Sequence, residues 1–142
     1  MKRLFPLFTL SLFALVACND DDRGISLNRN LVKFIENRYD GAVIRYAEYD
    51  GHGLKEVEIL HDALIKDVYF SSGDEWVYTS WNVRIANLPA TVRDAVAAAY
   101  PDFLVEEADY FERPSNAYYV LELEYGDVSV VVNVTAEGNL LI

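Results

Sequence analysis

Moved by the distance from Leu27 to Leu88, the chain overlays itself. LNRNLVKFIENRYDGAVIRYAEY falls on LPATVRDAVAAAYPDFLVEEADY, pairing Leu27 with Leu88, Tyr39 with Tyr100, Ala47 with Ala108 and Tyr49 with Tyr110. Leu31/Val92, Ile35/Val96, Val43/Leu104, Ile44/Val105 and Glu48/Asp109 are conservative pairs at the same offset. A fixed period of this length marks a supersecondary unit that buries its apolar face against a neighbouring copy. The spacing therefore predicts two units, about 26–86 and 87–142, within one domain, 26–142.

Each unit opens as a helix. Leu27, Leu31, Phe34 and Ile35 repeat at i, i+3, i+4 spacing, as do Leu88, Val92, Val96 and Ala99. Pro89 suits a first helical turn, where a missing N–H is no loss. Tyr39-Asp40-Gly41 and Tyr100-Pro101-Asp102 are the stops. Strands follow, at 44–50, 55–60, 65–70 and 75–81 in the first unit and 105–111, 117–125, 128–134 and 139–142 in the second. Lys55 to Leu60 alternates glutamate with Val57 and Ile59, the pattern of a sheet with one wet face. The expected fold is α+β: a tandem repeat of one helix followed by about four antiparallel strands, both helices packed on one face of the sheet and the other face open.

The N-terminus sets the compartment. Lys2 and Arg3 precede an apolar run from Leu4 to Ala17, broken only by Thr9 and Ser11. A membrane span needs roughly 20 apolar residues, so this run has the length of a signal-peptide core instead. It ends in Leu15-Val16-Ala17-Cys18, which resembles the bacterial lipobox. The resemblance implies a signal peptide over 1–17, lipid on Cys18 and a localisation in the cell envelope of a Gram-negative bacterium. Asn19-Asp20-Asp21-Asp22 reads as a self-repelling tether over 18–25. It also resembles the acidic tag that directs some lipoproteins to the outer surface of the outer membrane. Loss of Lys2 and Arg3 on processing takes the formal charge from −11 to −13.

That charge argues against nucleic acid, whose phosphates need Lys and Arg, and against adhesion to anionic lipid by a basic face. Contact with the membrane is expected only through the lipid on Cys18. As the single cysteine, Cys18 leaves neither a disulfide framework nor a thiol nucleophile. His52 and His61 are the only histidines and lie in no HExxH pattern, and no GxSxG, P-loop or dinucleotide motif occurs. Glu106-Glu107 and Glu56/Glu58 alternate with apolar residues and read as a solvated sheet face, not an acid–base pair. No catalytic residue, metal site or cofactor is expected.

The helix opening LPATVRDAVAAAYP, the strand VEEADYF and the stretch VYFSSGDEWVYTSW are similar to the beta-lactamase-inhibitor-like, PepSY-like family of bacterial secreted proteins. The resemblance spans residues 26–142. It implies a tandem helix-plus-sheet fold outside the cytoplasm and relatives that bind or inhibit proteins, with no established reaction. Tyr39-Asp40-Gly41 departs from the pattern that Tyr100-Pro101-Asp102 follows.

Aromatic side chains are the remaining signal, with ten tyrosines, seven phenylalanines and two tryptophans. Strict alternation over Glu75 to Trp81 puts Trp76 and Tyr78 on one face and Val77 and Trp81 on the other. With Val77 and Trp81 under the helices, Trp76 and Tyr78 lie on the open sheet, where Tyr46, Tyr118 and Glu122 join them. Tyr and Trp ringed by carboxylates make a protein-binding surface. The expected function is non-enzymatic binding or inhibition of a protein partner through that face. The alternative is a carbohydrate-handling accessory lipoprotein that stacks sugars on exposed Trp and Tyr.

Overall fold

The computed structural model describes residues 24–141. The lipobox, Cys18 and the acidic run lie outside them. The first helix, α1 (Arg29–Arg38), is opened by Asn28, whose side-chain oxygen accepts from the backbone N–H of Asn30 at 2.9 Å and of Leu31 at 3.1 Å. It ends at Tyr39, and Gly41 (φ 77°) turns the chain into the sheet. Strands β1 (Val43–Tyr49), β2 (Lys55–His61), β3 (Leu64–Phe70) and β4 (Trp76–Asn82) follow as hairpins. A single 3-10 turn over Ile85–Asn87 leads to α2 (Ala90–Ala99). Pro89 stands one position earlier than expected, as the cap residue before the helix. Strands β5 (Leu104–Glu112), β6 (Ala117–Tyr125), β7 (Val128–Val134) and the short β8 (Leu140–Leu141) complete the chain.

All eight strands form one antiparallel sheet in sequence order. Directly opposed residues in a ladder share a face, so register fixes the sides. Val57 opposes Ala47 and Val68, Val68 opposes Thr79, and Thr79 opposes Glu112. Two steps back along β5 from Tyr110, Ala108 opposes Leu121, which opposes Val132. All of these lie on the side that carries the helices. Leu31, Ile35 and Tyr39 of the first half pack on Val57, Ile59, Val68 and Phe70. Leu88, Val92 and Val96 pack on Leu121, Leu123, Val132 and Val134. The core is thus two clusters on one side, each under its own helix.

Two local features correct the sequence reading. Tyr78 opposes Tyr69 but Trp76 opposes Phe70, so Val77 is an extra residue in β4, a β-bulge. The bulge turns Trp76 from the open face to the helix side, against Phe34 and Phe70. Strict alternation failed there for that reason. Ile25, placed at the end of the tether, is already docked: its N–H donates to the Ala47 carbonyl at 2.8 Å and its side chain packs on the first core.

Candidate binding face

Tyr78, Tyr46, Tyr118 and Glu122 share the open face, and Trp76 does not. Sequence reasoning missed two further rings. Tyr69 on β3 stacks on Tyr78 with centroids 4.3 Å apart and an interplanar angle of 22°. Phe111 on β5 lies 5.5 Å from Tyr78 and is stacked with Tyr118 at 5.9 Å and 5°. Tyr69, Tyr78, Phe111 and Tyr118 therefore make one aromatic stripe across β3 to β6. The Arg113 guanidinium ends it, 5.7 Å from the ring centroids of both Tyr78 and Tyr118. Alternation in LIKDVYF, with Val68 and Phe70 inward, was the available signal for Tyr69. Tyr46 lies apart from the stripe, on β1, with its hydroxyl 3.1 Å from Glu48 Oε2.

Carboxylates flank the stripe in an unfavourable arrangement. Glu48 opposes Glu56, Glu58 opposes Asp67, and Glu107 opposes Glu122. Like charges directly opposed across strands are destabilising. Arg45 Nε reaches Glu58 at 3.5 Å, and Glu122 accepts from Ser129 Oγ at 2.8 Å. The carboxyls of Glu56 and Asp67 are pushed above the usual range, first by partial burial and then by a neighbouring carboxylate, Asp67 for the one and Glu58 for the other. Burial, and then the charge of Glu56, also raise the Tyr69 hydroxyl. The face thus concentrates negative charge beside half-buried rings.

The helix side carries a polar seam between the two cores. Trp76 Nε1 donates to Thr79 Oγ1 at 3.0 Å, Thr79 and the Tyr39 hydroxyl are 2.7 Å apart, and Tyr39 reaches Glu112 Oε2 at 2.9 Å. Arg38 lies 3.9 Å over the Trp76 ring and 3.3 Å from Glu112. Lys66, only 7% exposed, points its ammonium at the Trp81 ring (4.3 Å) and the Tyr39 ring (5.3 Å), with His61 Nδ1 at 3.1 Å. Burial lowers its pKa. His61 is committed to this packing, and His52 sits exposed in the β1–β2 turn, so the two histidines share no site.

No family model matches the chain, and no curated protein matches it. Solved structures do. A BLIP-like protein from Bacteroides fragilis is 25% identical, with a TM-score of 0.71 over 87% of this chain and 89% of its own. A DUF2874 family protein from Bacteroides ovatus is 22% identical, with a TM-score of 0.70 over 84% and 87%. A protein from Bacteroides eggerthii, proposed to be periplasmic, is 17% identical, with a TM-score of 0.66 over 83% and 88%. With two helices on one side of an open eight-stranded antiparallel sheet, this chain has the BLIP-like fold.

Proposed function

We propose that this chain is a lipid-anchored protein of the cell envelope that binds, and in binding inhibits, a protein partner through its open sheet face, without catalysis. The observation that carries the reading is the Tyr69–Tyr78–Phe111–Tyr118 stripe, which runs across both halves on a side that no other described element covers. Aromatics at the centre of a surface, here half-buried, with charge at its rim are the anatomy of a binding patch. The opposed carboxylate pairs call for a partner loop carrying Lys or Arg. The sheet is a broad surface without a convergent acid, base and nucleophile. Compartment rests on the Cys18 lipobox, and the periplasmic placement proposed for the Bacteroides eggerthii protein agrees with it.

The two halves are copies of one helix-plus-four-strand unit. Supporting this, α1 and α2 begin at Arg29 and Ala90, and the bulges of β1 and β5 fall at Arg45 and Glu106, both at the offset of Leu27 to Leu88. The core pairs Leu31/Val92, Ile35/Val96 and Ala47/Ala108 keep the same offset.

Immobilised wild-type domain should retain an envelope protein from a detergent extract, and the Tyr78→Ala/Phe111→Ala double variant should not. Each central ring is worth about 2 kcal/mol, some thirtyfold in affinity. Retention by a double variant that still melts cooperatively near wild type overturns the reading. Cys18→Ala should leave the protein unprocessed or released. Recovery of that variant in membranes in processed form would remove the anchor from the proposal.

A further inference from the structure

We propose that the recess on the helix side, where β4 meets β5, binds a neutral pyranose sugar. It lies on the opposite side of the sheet from the aromatic stripe and is independent of the partner reading. The recess exists because each helix covers its own half. Between them the sheet is roofed by neither, and a cavity of about 490 Å³ opens over Trp81, Tyr110 and Tyr119. Small-ligand sites span about 300–1,000 Å³.

The three rings form a bent wall: Trp81 and Tyr110 centroids are 4.9 Å apart at 54°, and Tyr110 and Tyr119 are 4.7 Å apart at 56°. All three are half-buried, yet Trp81 Nε1 and the hydroxyls of Tyr110 and Tyr119 have no hydrogen-bond partner among the described residues. The contrast is with Tyr39 and Trp76 in the same seam, whose polar tips are satisfied within the protein. Lys66 already occupies a face of Trp81, 4.3 Å from its centroid, so Tyr110 and Tyr119 supply the main C–H-stacking surface and the three unused polar tips the hydrogen bonds, which together match what a pyranose offers.

The rim supplies the rest. Asp62 is an acceptor, Arg84 a fork of donors, and the Asn87 amide is both. One carboxylate and one guanidinium leave the rim neutral, which suits an uncharged ligand. Arg84 makes no ion pair among the described residues, while Asp62 has His61 at 3.4 Å and its charge also acts on the Lys66 ammonium. The turn that holds Asp62 at the rim is itself strained: Asp62 (φ 52°) and Ala63 (φ 60°) both stand in the left-handed region, with alanine where glycine would be relaxed. Strain of this kind gathers at ligand clamps. A nucleotide fits less well, because its phosphates would meet a strongly acidic protein.

The test is a titration of the isotope-labelled lipid-free protein with glucose, galactose and N-acetylglucosamine, followed by NMR. The Trp81 indole N–H and the Tyr110 resonances should shift saturably for at least one sugar, with a dissociation constant on the order of 1 mM, while the Trp76 indole stays still. Arg84→Ala and Asn87→Ala alter exposed side chains outside both cores. Each should weaken that binding at least about tenfold, a loss of some 1.4 kcal/mol. Absence of a saturable shift with all three sugars overturns the proposal. So does binding that neither variant weakens, or saturation by benzoate in place of any sugar.

Discussion

Tyr39, the residue that ends α1, hydrogen-bonds Glu112, the last residue of β5, at 2.9 Å. The two belong to different halves and stand 73 residues apart. Trp76 Nε1 donates to Thr79 Oγ1, the Tyr39 hydroxyl lies 2.7 Å from the same Thr79 oxygen, and Tyr39 reaches Glu112 Oε2, so one phenol ties Thr79 to Glu112. Burial and the Glu112 carboxylate both favour the protonated phenol, whose pKa is raised. Tyr39→Phe removes the middle link and leaves the fully buried Thr79 hydroxyl with Trp76 Nε1 alone as its partner. Urea denaturation should show a loss of about 1–3 kcal/mol. A variant as stable as wild type would mean that the seam holds nothing together.

The open face should be more stable without its charge. The folded-state pKa values of Glu56 and Asp67 are raised, so both carboxyls hold protons more tightly in the fold than in the unfolded chain. Their contribution favours the fold below the ordinary carboxyl range, about pH 4, and is lost as pH rises through the folded values. At neutral pH the pair therefore works against folding. Glu56→Gln with Asp67→Asn should raise the melting temperature at about pH 7, and the gain should shrink as pH approaches about 4. A gain that is absent at neutral pH, or the same at both, contradicts the charge argument. The same variant should bind the partner less well.

Ala63→Gly should stabilise the domain. The β2–β3 turn needs φ > 0 at both central residues, and Ala63 supplies it at φ 60°. A left-handed residue with a Cβ carries about 1–2 kcal/mol of strain. Glycine relieves this and gives back part through its larger unfolded-state freedom. The net expectation is a gain of up to about 1 kcal/mol, read as a rise in the urea midpoint at unchanged slope.

Gly138 marks the opposite case. It sits at φ 88° in the β7–β8 turn, and a Cβ there would stand 2.7 Å from the Thr91 carbonyl oxygen of α2. Thr91 Oγ1 also donates to the Ala136 carbonyl at 2.6 Å, so this turn and this helix are locked together. Gly138→Ala should destabilise by at least about 1–2 kcal/mol from the backbone conformation alone, with the clash added to it. An unchanged melt would show that the turn can move off the helix.

Both helices were legible from apolar spacing, because Leu31, Ile35, Val92 and Val96 are all buried where the period puts them. Strand positions followed from alternation, as in Lys55 to Leu60, where Val57 and Ile59 are buried as the pattern puts them. The candidate face was only half legible. Tyr78 was found, but Trp76 was assigned to the wrong side because the Val77 bulge has no sequence mark. Tyr69 went unread although alternation in LIKDVYF marks its face, and its meeting with Tyr78, like that of Phe111 with Tyr118, depends on which strands are neighbours, which is a matter of register. The recess was invisible for the same reason: Trp81, Tyr110 and Tyr119 come together only through the pairing of β4 with β5 and β5 with β6.

Every strand of the sheet is hydrogen-bonded to its neighbour in the chain. Contacts are consequently short in sequence, and such topologies fold fast for all-antiparallel sheets. The ladder between β4 and β5, where the halves meet, has four residue pairs, as has the bulged ladder between β3 and β4, against eight between β5 and β6. Each half also closes its own apolar cluster. Two apolar clusters that meet at this short ladder predict opening at the waist between them. Amides of Thr79 to Asn82 will exchange with solvent sooner than those of β2 or β6, and the waist is where the native state opens first.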